Sequence, residues 1–474
     1  MEHWKTSWVA FYTRNNRHLL AALVLLLIGL LTYGNSLTND FMVDDYGLIL
    51  NNPEAQHIKF LASQFISGGG VAGSNPAYYR PIPHILTLLC YLVFQANPIG
   101  YHTVNLVFFY ICSLGLYGLL NVLFQNKKLA FLTSLLFLTH PINGVIVNYI
   151  TATGYSVLIF SMLLSLTSFL MDLQKPQRGL YVVASFLWFL AALLSHETAV
   201  AFPLYLAAAL FFVRYPLREI FWKSLPFFAL VLIYLIFRWE FVSLKEGLWD
   251  KIPLFGISFG NYLATFSRLV AWYFSKLIFL KEIVLIWATP IVREHLLWWN
   301  LGLVVVVVVC VYCLGAPWKR DPKSFALSWM GIGLVPVGLG CFFYPASGLV
   351  IEPHWLFFSS IGFFFLANGL VQMEGNFSKN GARILGVLLL SIYVFNSRQY
   401  NALWADERRY CQAWMQASPG LKTAVFYLAG AHMRQREYKE ARALYPRALS
   451  GGPEDWQIYA NLGLMDHEEG FLKA

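Results

Sequence analysis

Charge is scarce in this sequence. Asp, Glu, Lys and Arg make up 12% of its 474 residues, about half the roughly 25% of a soluble domain. An ordinary soluble fold is therefore excluded. The short alternating apolar–polar segments of a membrane β-barrel are absent as well. The net charge is +9, yet no concentrated basic patch appears, so no nucleic-acid partner is expected. Positively charged inner loops account for the excess. Cysteine is sparse and builds no disulfide framework. Cys90, Cys112, Cys310, Cys313 and Cys341 lie in or beside apolar segments, and Cys411 stands in a polar tail. Cys310 and Cys313 read C-V-Y-C, but their Val-rich run favours packing over redox or metal chemistry. HExxH, P-loop, GxSxG and strand–GxGxxG–helix signatures are missing. No metal site is assigned, and a divalent metal is the one cofactor left open. Tyr33-Gly34-Asn35-Ser36 is a poor cleavage site, so the first apolar run reads as a retained signal anchor.

Apolar runs are what the chain has in quantity. Hydrophobic residues make up 58%, in stretches near the roughly 20 residues that cross a bilayer. The first span covers 19–34, behind Lys5, Arg14 and Arg17, which puts the N-terminus inside. Residues 35–103 form an outer loop with a Gly68-Gly69-Gly70 turn. Within it, 81–96 is apolar but short. If 81–96 crossed, the clusters Lys127/Lys128, Lys175/Arg178 and Arg214/Arg218/Lys223 would fall outside. If it lies in the outer interface, they fall inside together with Lys319/Arg320/Lys323. The second arrangement is adopted.

Spans then fall at 104–124, 129–141, 155–171, 180–195, 197–213, 224–238, 298–316, 324–344, 355–373 and 382–396. The stretch 239–297 reads as an interfacial helical hairpin or a distorted pair of spans. The expected fold is an all-α polytopic membrane protein of about eleven helices. Two regions are expected: a membrane domain over 1–396 and a polar helical region over 397–474. In the second, Phe426, Gly430, Tyr438 and Ala441 recur at an offset of 33 as Tyr459, Gly463, Phe471 and Ala474, with Gly451-Gly452-Pro453 between the units. That period suits a tetratricopeptide-like repeat.

This topology sends the unusual polar residues to one side. Asp44-Asp45, Tyr79-Arg80-Pro81, Tyr101-His102 with Asn105, His140-Pro141-Ile142-Asn143, Ser195-His196-Glu197 and Glu352-Pro353-His354 all reach the outer face. Ionisable groups at span edges are costly and default to functional hypotheses. Each also has a structural reading. Asp44-Asp45 can cap a helix, and Tyr79-Arg80-Pro81 can anchor the interface. His140-Pro141 can end a helix, Ser195-His196-Glu197 can form a tight turn, and Glu352 with His354 can pair.

In order, Phe41-Met42-Val43-Asp44-Asp45 with Ile49 and Asn52-Pro53, then Tyr79-Arg80-Pro81, then Pro98 with Gly100-Tyr101-His102 and Asn105, resemble motifs of the GT-C integral-membrane glycosyltransferases. Leu138-Thr139-His140-Pro141, Ser195-His196-Glu197 and Ser360-Ile361-Gly362 extend the match, and with the C-terminal repeats it resembles the transmembrane and tetratricopeptide-repeat O-mannosyltransferase-like proteins. Two places depart from that pattern. Asn143 and Asn148 follow His140-Pro141 where the family carries an acid, and Pro353-His354-Trp355 replaces its late basic residue.

The resemblance implies sugar transfer from a polyprenyl-phosphate donor to a protein or glycan acceptor. A carboxylate would take the acceptor proton, with Asp44 as base and Asp45 holding the acceptor or tuning its neighbour. Arg80 would meet the leaving phosphate, backed by His102, His140 and His196. Tyr79, Asn105, Asn143, Glu197, Glu352 and His354 would contact substrate. The apolar spans and 81–96 would hold the lipid, and the repeats would face acceptor or partner. A bacterial inner membrane, with the site facing the periplasm or exterior, is the expected location. The competing readings are a lipid-linked sugar transporter, against which the spans show no internal symmetry, and a non-catalytic scaffold for envelope polysaccharide or glycoprotein assembly.

Overall fold

The computed structural model describes residues 16–65, 79–174, 179–241, 258–292, 322–341, 348–371, 379–449 and 455–470. Several expectations lie outside the described residues: the Lys5 and Arg14 flank, Gly68-Gly69-Gly70, Lys175 and Arg178, the 298–316 span with Cys310 and Cys313, Lys319 and Arg320, Gly451-Gly452-Pro453, and Phe471 and Ala474.

The described chain is almost entirely helical. In the membrane part the helices are α1 (Asn16–Tyr33), α2 (Pro81–Phe94), α3 (Pro98–Phe124), α4 (Lys127–Thr139), α5 (Gly144–Asn148), α6 (Thr153–Gln174), α7 (Leu180–Leu193), α8 (Phe202–Phe212) and α9 (Leu217–Phe241). Next come α10 (Phe259–Phe279), α11 (Pro322–Gly340), α12 (Phe357–Val371) and α13 (Lys379–Leu403). The polar region holds α14 (Glu407–Ala417), α15 (Lys422–Arg434), α16 (Tyr438–Ala448) and α17 (Trp456–Glu468). Two short strands, β1 (Trp287–Thr289) and β2 (Leu349–Ile351), pair antiparallel with Trp287 opposite Ile351. In the stretch 239–297, the described residues hold the end of α9, one further helix and a strand, and 242–257 and 293–297 lie outside the described residues.

Local chemistry sets the helix ends. The Asn97 side chain accepts the Ile99 N–H, with Pro98 in the first helical position of α3. There the missing N–H costs nothing. Asn126 caps α4 by accepting from Leu129. That helix stops at His140, whose backbone is extended because Pro141 follows it. Asp406 starts α14 by accepting from Arg408 and Arg409.

Four helical stretches are long and apolar enough to cross a bilayer: His18–Ser36, Pro98–Phe124, Ile150–Gln174 and Leu217–Glu240. A fifth arises if Lys127–Thr139 and Pro141–Asn148, bent by 59°, count as one span. The chain is a helical integral membrane protein. Its leucine-rich helices turn apolar side chains outward, with Leu27, Val183, Ile233 and Val387 all more than half exposed, while Ser113, Ser165, Ser185 and Asn368 are buried between helices. In lipid this is the expected arrangement, because small polar residues pack and hydrogen-bond between helices.

Side-chain contacts show that the helices alternate in direction. Tyr33 at the end of α1 packs edge-on against Phe109 near the start of α3. Ser397 late in α13 donates to the Thr139 carbonyl at the end of α4 (2.7 Å). Asn401 donates to the carbonyl of Thr32 (2.9 Å). At the opposite end, Phe124 closes α3 against Phe212, Phe325 and Phe365, with ring centroids 4.6–5.6 Å away. Asn368 of α12 donates there to Leu129 at the start of α4.

The short helix α2 behaves differently. Arg80, just ahead of it, bonds Glu197 in the α7–α8 turn. At its other end Phe94 packs on Tyr101, which packs on Phe41. Both ends of α2 therefore sit at the same end of the bundle. It lies across that end rather than through the bundle, with Leu89, Leu92 and Val93 exposed.

The polar region is docked, not trailing. Trp404, Tyr410, Cys411 and Trp414 are fully buried, so Cys411 is a core residue in spite of its polar sequence neighbourhood. Trp414 donates its indole N–H to the Ile286 carbonyl beside β1 (2.6 Å), and the Ser418 hydroxyl accepts from Ala288. Truncating one such buried tryptophan costs about 3–5 kcal/mol. Helices α15 and α16 form an antiparallel pair with α17 stacked beyond, and Ala441 is fully buried. The Gly463 position, paired with Gly430 by the sequence repeat, faces open space, so close packing does not require glycine there.

Candidate active site

The acid pair sits in a short loop between α1 and the first irregular helical turns. Asp45 is 1% exposed. Its two carboxylate oxygens accept backbone N–H groups from Met42 (3.0 Å) and Thr151 (3.1 Å). Asp44 is only half-buried. The Tyr149 hydroxyl donates to its Oδ2 (2.6 Å), and the Tyr427 hydroxyl donates to its Oδ1. Burial pushes the Asp44 carboxyl up, the two tyrosine hydroxyls pull it back, and the charge of Glu352 raises it again. Burial pushes Asp45 well above the usual carboxylate range, offset in part by its backbone N–H bonds and reinforced by Asp44. The two acids therefore differ in duty. Asp45 is tied to the backbone, while Asp44 keeps solvent access and is aimed by two hydroxyls.

A second cluster forms where α2, the α7–α8 turn and the end of α9 meet. Arg80 grips both oxygens of Glu197, Nη2 to Oε1 at 2.6 Å and Nε to Oε2 at 3.0 Å. Arg238, 5% exposed, approaches the same carboxylate at 3.8 Å. Burial alone would raise the Glu197 carboxyl, but the Arg80 guanidinium, joined by that of Arg238, holds it well below the usual range. Burial and the nearby Arg80 keep the His196 imidazole neutral. Two guanidinium groups thus approach one carboxylate.

The clusters are joined by a run of ring contacts. His354 Nε2 lies 2.7 Å from Glu352 Oε2. The Tyr155 ring sits between His354 and His196, with centroids 4.2 and 4.3 Å away. A line of contacts thus runs Glu352–His354–Tyr155–His196–Glu197–Arg80, with Asp44 feeling the charge of Glu352 at one end. His196 Nε2 and His354 Nδ1 are buried without a hydrogen-bond partner among the described residues. Beside them opens a small, mostly apolar cleft, lined by Tyr155, Met162, Tyr205, Trp355 and Phe358 among others. Among the described residues no three His, Cys, Asp or Glu side chains gather as a metal site would require.

Other residues expected in the site are engaged with backbone instead. His140 is fully buried. Its Nε2 lies 3.0 Å from the Leu277 carbonyl and its Nδ1 accepts the Ile142 N–H, so both ring nitrogens are taken. Asn143 donates to the Phe137 carbonyl (2.6 Å). Asn105 donates to the carbonyls of Ile146 and Tyr149 and so fixes the loop that carries Tyr149 and Thr151. His102 is fully buried, with Nδ1 3.5 Å from the Val147 carbonyl. The Tyr79 hydroxyl donates to Phe65, and its ring packs on Phe237. Broken helices in a bilayer need such groups to satisfy freed backbone. These side chains meet that demand, and His102 Nε2 is buried with no hydrogen-bond partner among the described residues.

Tyr149, Tyr427, Tyr155 and Arg238 were not singled out by the sequence. Arg238 had a usable signal, being an ionisable residue at the edge of a span. Tyr427 had none, because it lies 383 residues from the acid it meets.

Proteins of known name share these segments. Protein O-mannosyl-transferase F38B6.6 of Caenorhabditis elegans is 21% identical over 459 residues, 95% of this chain and 60% of that protein. Human protein O-mannosyl-transferase TMTC1 is 32% identical over 129 residues, 26% of this chain and 15% of its own length. Human protein O-mannosyl-transferase TMTC3 is 30% identical over 126 residues, 25% of this chain and 14% of that protein. This chain resembles the TMTC protein O-mannosyl-transferases. It spans less than two thirds of the length of these relatives. No protein-family model matches the chain, and no solved structure matches it.

Proposed function

We propose that this chain is a glycosyltransferase that moves a hexose, mannose by its relatives' names, from a polyprenyl-phosphate donor to a hydroxyl of a protein acceptor. The observation that carries the reading is the pairing of a half-buried carboxylate, aimed by two tyrosine hydroxyls, with two arginines gathered on Glu197 at the same end of a membrane bundle. The acceptor hydroxyl gives its proton to Asp44 as its oxygen bonds to the anomeric carbon. The bond from that carbon to the donor phosphate breaks, and the electron pair leaves with the phosphate. Arg80 and Arg238 stabilise that charge, Arg80 with a fork suited to two phosphate oxygens. The buried ring nitrogens of His196 and His354 supply polar contacts for sugar hydroxyls, and the apolar cleft beside Tyr155 receives the start of the lipid. Asp45 keeps the loop in place through Met42 and Thr151.

In this reading the bundle is GT-C-like. The shorter helices α7, α8, α11, α12 and α13, with 298–316, bring the spans to about eleven. The site end faces the periplasm of a bacterial inner membrane or the cell exterior. Residues 1–396 carry donor and chemistry, and the tetratricopeptide-like region 397–474 faces the acceptor.

The test uses membranes containing the full chain and radiolabelled polyprenyl-phosphate mannose, with label counted in protein. Asp44→Asn should lose at least about 100-fold in transfer, the lower bound for a removed general base, with membrane insertion unchanged. A well-inserted Asp44→Asn variant that still transfers at the wild-type rate would refute the assignment.

A further inference from the structure

Three contacts from the polar C-terminal region converge on four consecutive residues of the acid loop. Glu407 of α14 accepts the Val43 N–H (3.0 Å). Arg434 of α15 bonds Glu407 and lies over the Tyr46 ring, 4.1 Å from its centroid. Tyr427 of α15 donates to Asp44 while stacking on Trp414. Between these contacts Val43 has φ +55°. A β-branched side chain rarely adopts that left-handed conformation, and it persists only where the surroundings enforce it. Two local bonds between Met42 and Asp45 close the turn around it, and the Glu407 carboxylate, 364 residues further along the chain, holds the Val43 N–H itself.

We propose that the C-terminal helices are a working part of the carboxylate centre, with Tyr427 and Glu407 as positioning residues that hold Asp44 in its reactive place. The idea rests on the reading of Asp44 as the base, and it deepens that reading. Val43 immediately precedes Asp44, so relaxing its backbone swings the carboxylate away from Tyr149 and Tyr427. Movement of α14 and α15, as when an acceptor binds them, is thereby transmitted to the base. The groups facing Asp44 are Asp45 on its own loop, Tyr149 ahead of α6, Tyr427 on α15 and Glu352 beyond β2. Tyr149 and Tyr427 are its hydroxyl donors, and each stabilises the ionised carboxylate. Removing either one favours the protonated form.

The test needs no acceptor. Dicyclohexylcarbodiimide takes protonated carboxyls in apolar surroundings. Its labelling of Asp44 in the purified full chain, followed against pH by peptide mass spectrometry, gives the protonation midpoint. Tyr427→Phe should raise that midpoint by about one unit, the effect of one hydrogen bond to a charged acceptor, and Tyr149→Phe should raise it similarly. Glu407→Ala should raise it too. Glu407→Gln should not, because its amide oxygen still accepts the Val43 N–H. Adding Val43→Gly to Glu407→Ala should restore the wild-type midpoint, since glycine adopts positive φ without help. A Tyr427→Phe midpoint equal to wild type overturns the proposal. So does a Glu407→Ala midpoint that Val43→Gly leaves unmoved. Transfer retained by Asp44→Asn removes the base assignment alone, because the labelling shifts do not depend on it.

Discussion

Glu197→Gln separates an ion pair kept for stability from one kept ready for a phosphate. Two charge-assisted hydrogen bonds join Arg80 to Glu197, at 2.6 and 3.0 Å. Such bonds contribute about 1.5–3 kcal/mol each when well buried. Here the side chains are 23% and 36% exposed, which draws the value toward the ~0.2–1 kcal/mol of surface pairs. Glutamine keeps the shape and one acceptor oxygen. The variant should therefore be less stable by about 1 kcal/mol at neutral pH. The pH dependence has a definite sign. Arg80 holds the folded Glu197 carboxyl well below its usual range. Its stabilisation is complete above the unfolded carboxyl value of about 4.3 and fades as pH falls through the folded value. Thermal midpoints of wild type and Glu197→Gln should therefore differ at pH 7 and converge in acid.

Anion binding should move the other way. One negative charge removed about 7 Å from a bound phosphate, at an effective dielectric near 40, is worth about 1.2 kcal/mol, or roughly sevenfold in affinity. Polyprenyl phosphate should inhibit Glu197→Gln at roughly sevenfold lower concentration than wild type. A purely structural ion pair predicts the reverse, since a loosened Arg80 would bind anions less well. Inhibition that weakens in step with stability would refute the phosphate role of the cluster.

Three further substitutions probe the packing of the fold. A Cβ at Gly362 would stand 2.5 Å from the Ala326 carbonyl oxygen of α11, so Gly362→Ala should cost about 1–3 kcal/mol, seen as a lowered thermal midpoint. Gly463→Ala, facing open space in a helix, should instead gain about 0.5–1 kcal/mol. Asn401 is fully buried and joins Thr32, Asn35 and Asn148. Asn401→Ala should cost about 3 kcal/mol through the partners it strands, read as proteolysis between α1 and α13.

Much of the bundle is legible in the residues. Helix boundaries follow apolar runs, asparagine caps and prolines, and the helices at 98–124 and 127–139 begin and end where those signals stand. The positive-inside count expects 81–96 in the interface, and α2 has both of its ends packed at one end of the bundle. The same count gathered Asp44, Arg80, Glu197 and Glu352 at one end. It gathered His140 and Asn143 as well, whose side chains satisfy backbone. A sequence marks a buried polar side chain as costly, but it does not say whether a carbonyl or a ligand meets that cost.

What the sequence determined by itself is which segments are helical and apolar enough to meet lipid, and which polar groups stand at their edges. Both depend on local apolar periodicity and on charge next to a span. Tertiary structure alone decided which of those groups touch. Tyr427 and Glu407 reach the acid loop across more than 360 residues, through a docking surface of buried tryptophans that no local period announces. The division of labour between Asp44 and Asp45 was decided there too. Adjacent residues with the same side chain are equivalent in sequence, and only the surrounding backbone and tyrosines make one an anchor and leave the other half-open to solvent.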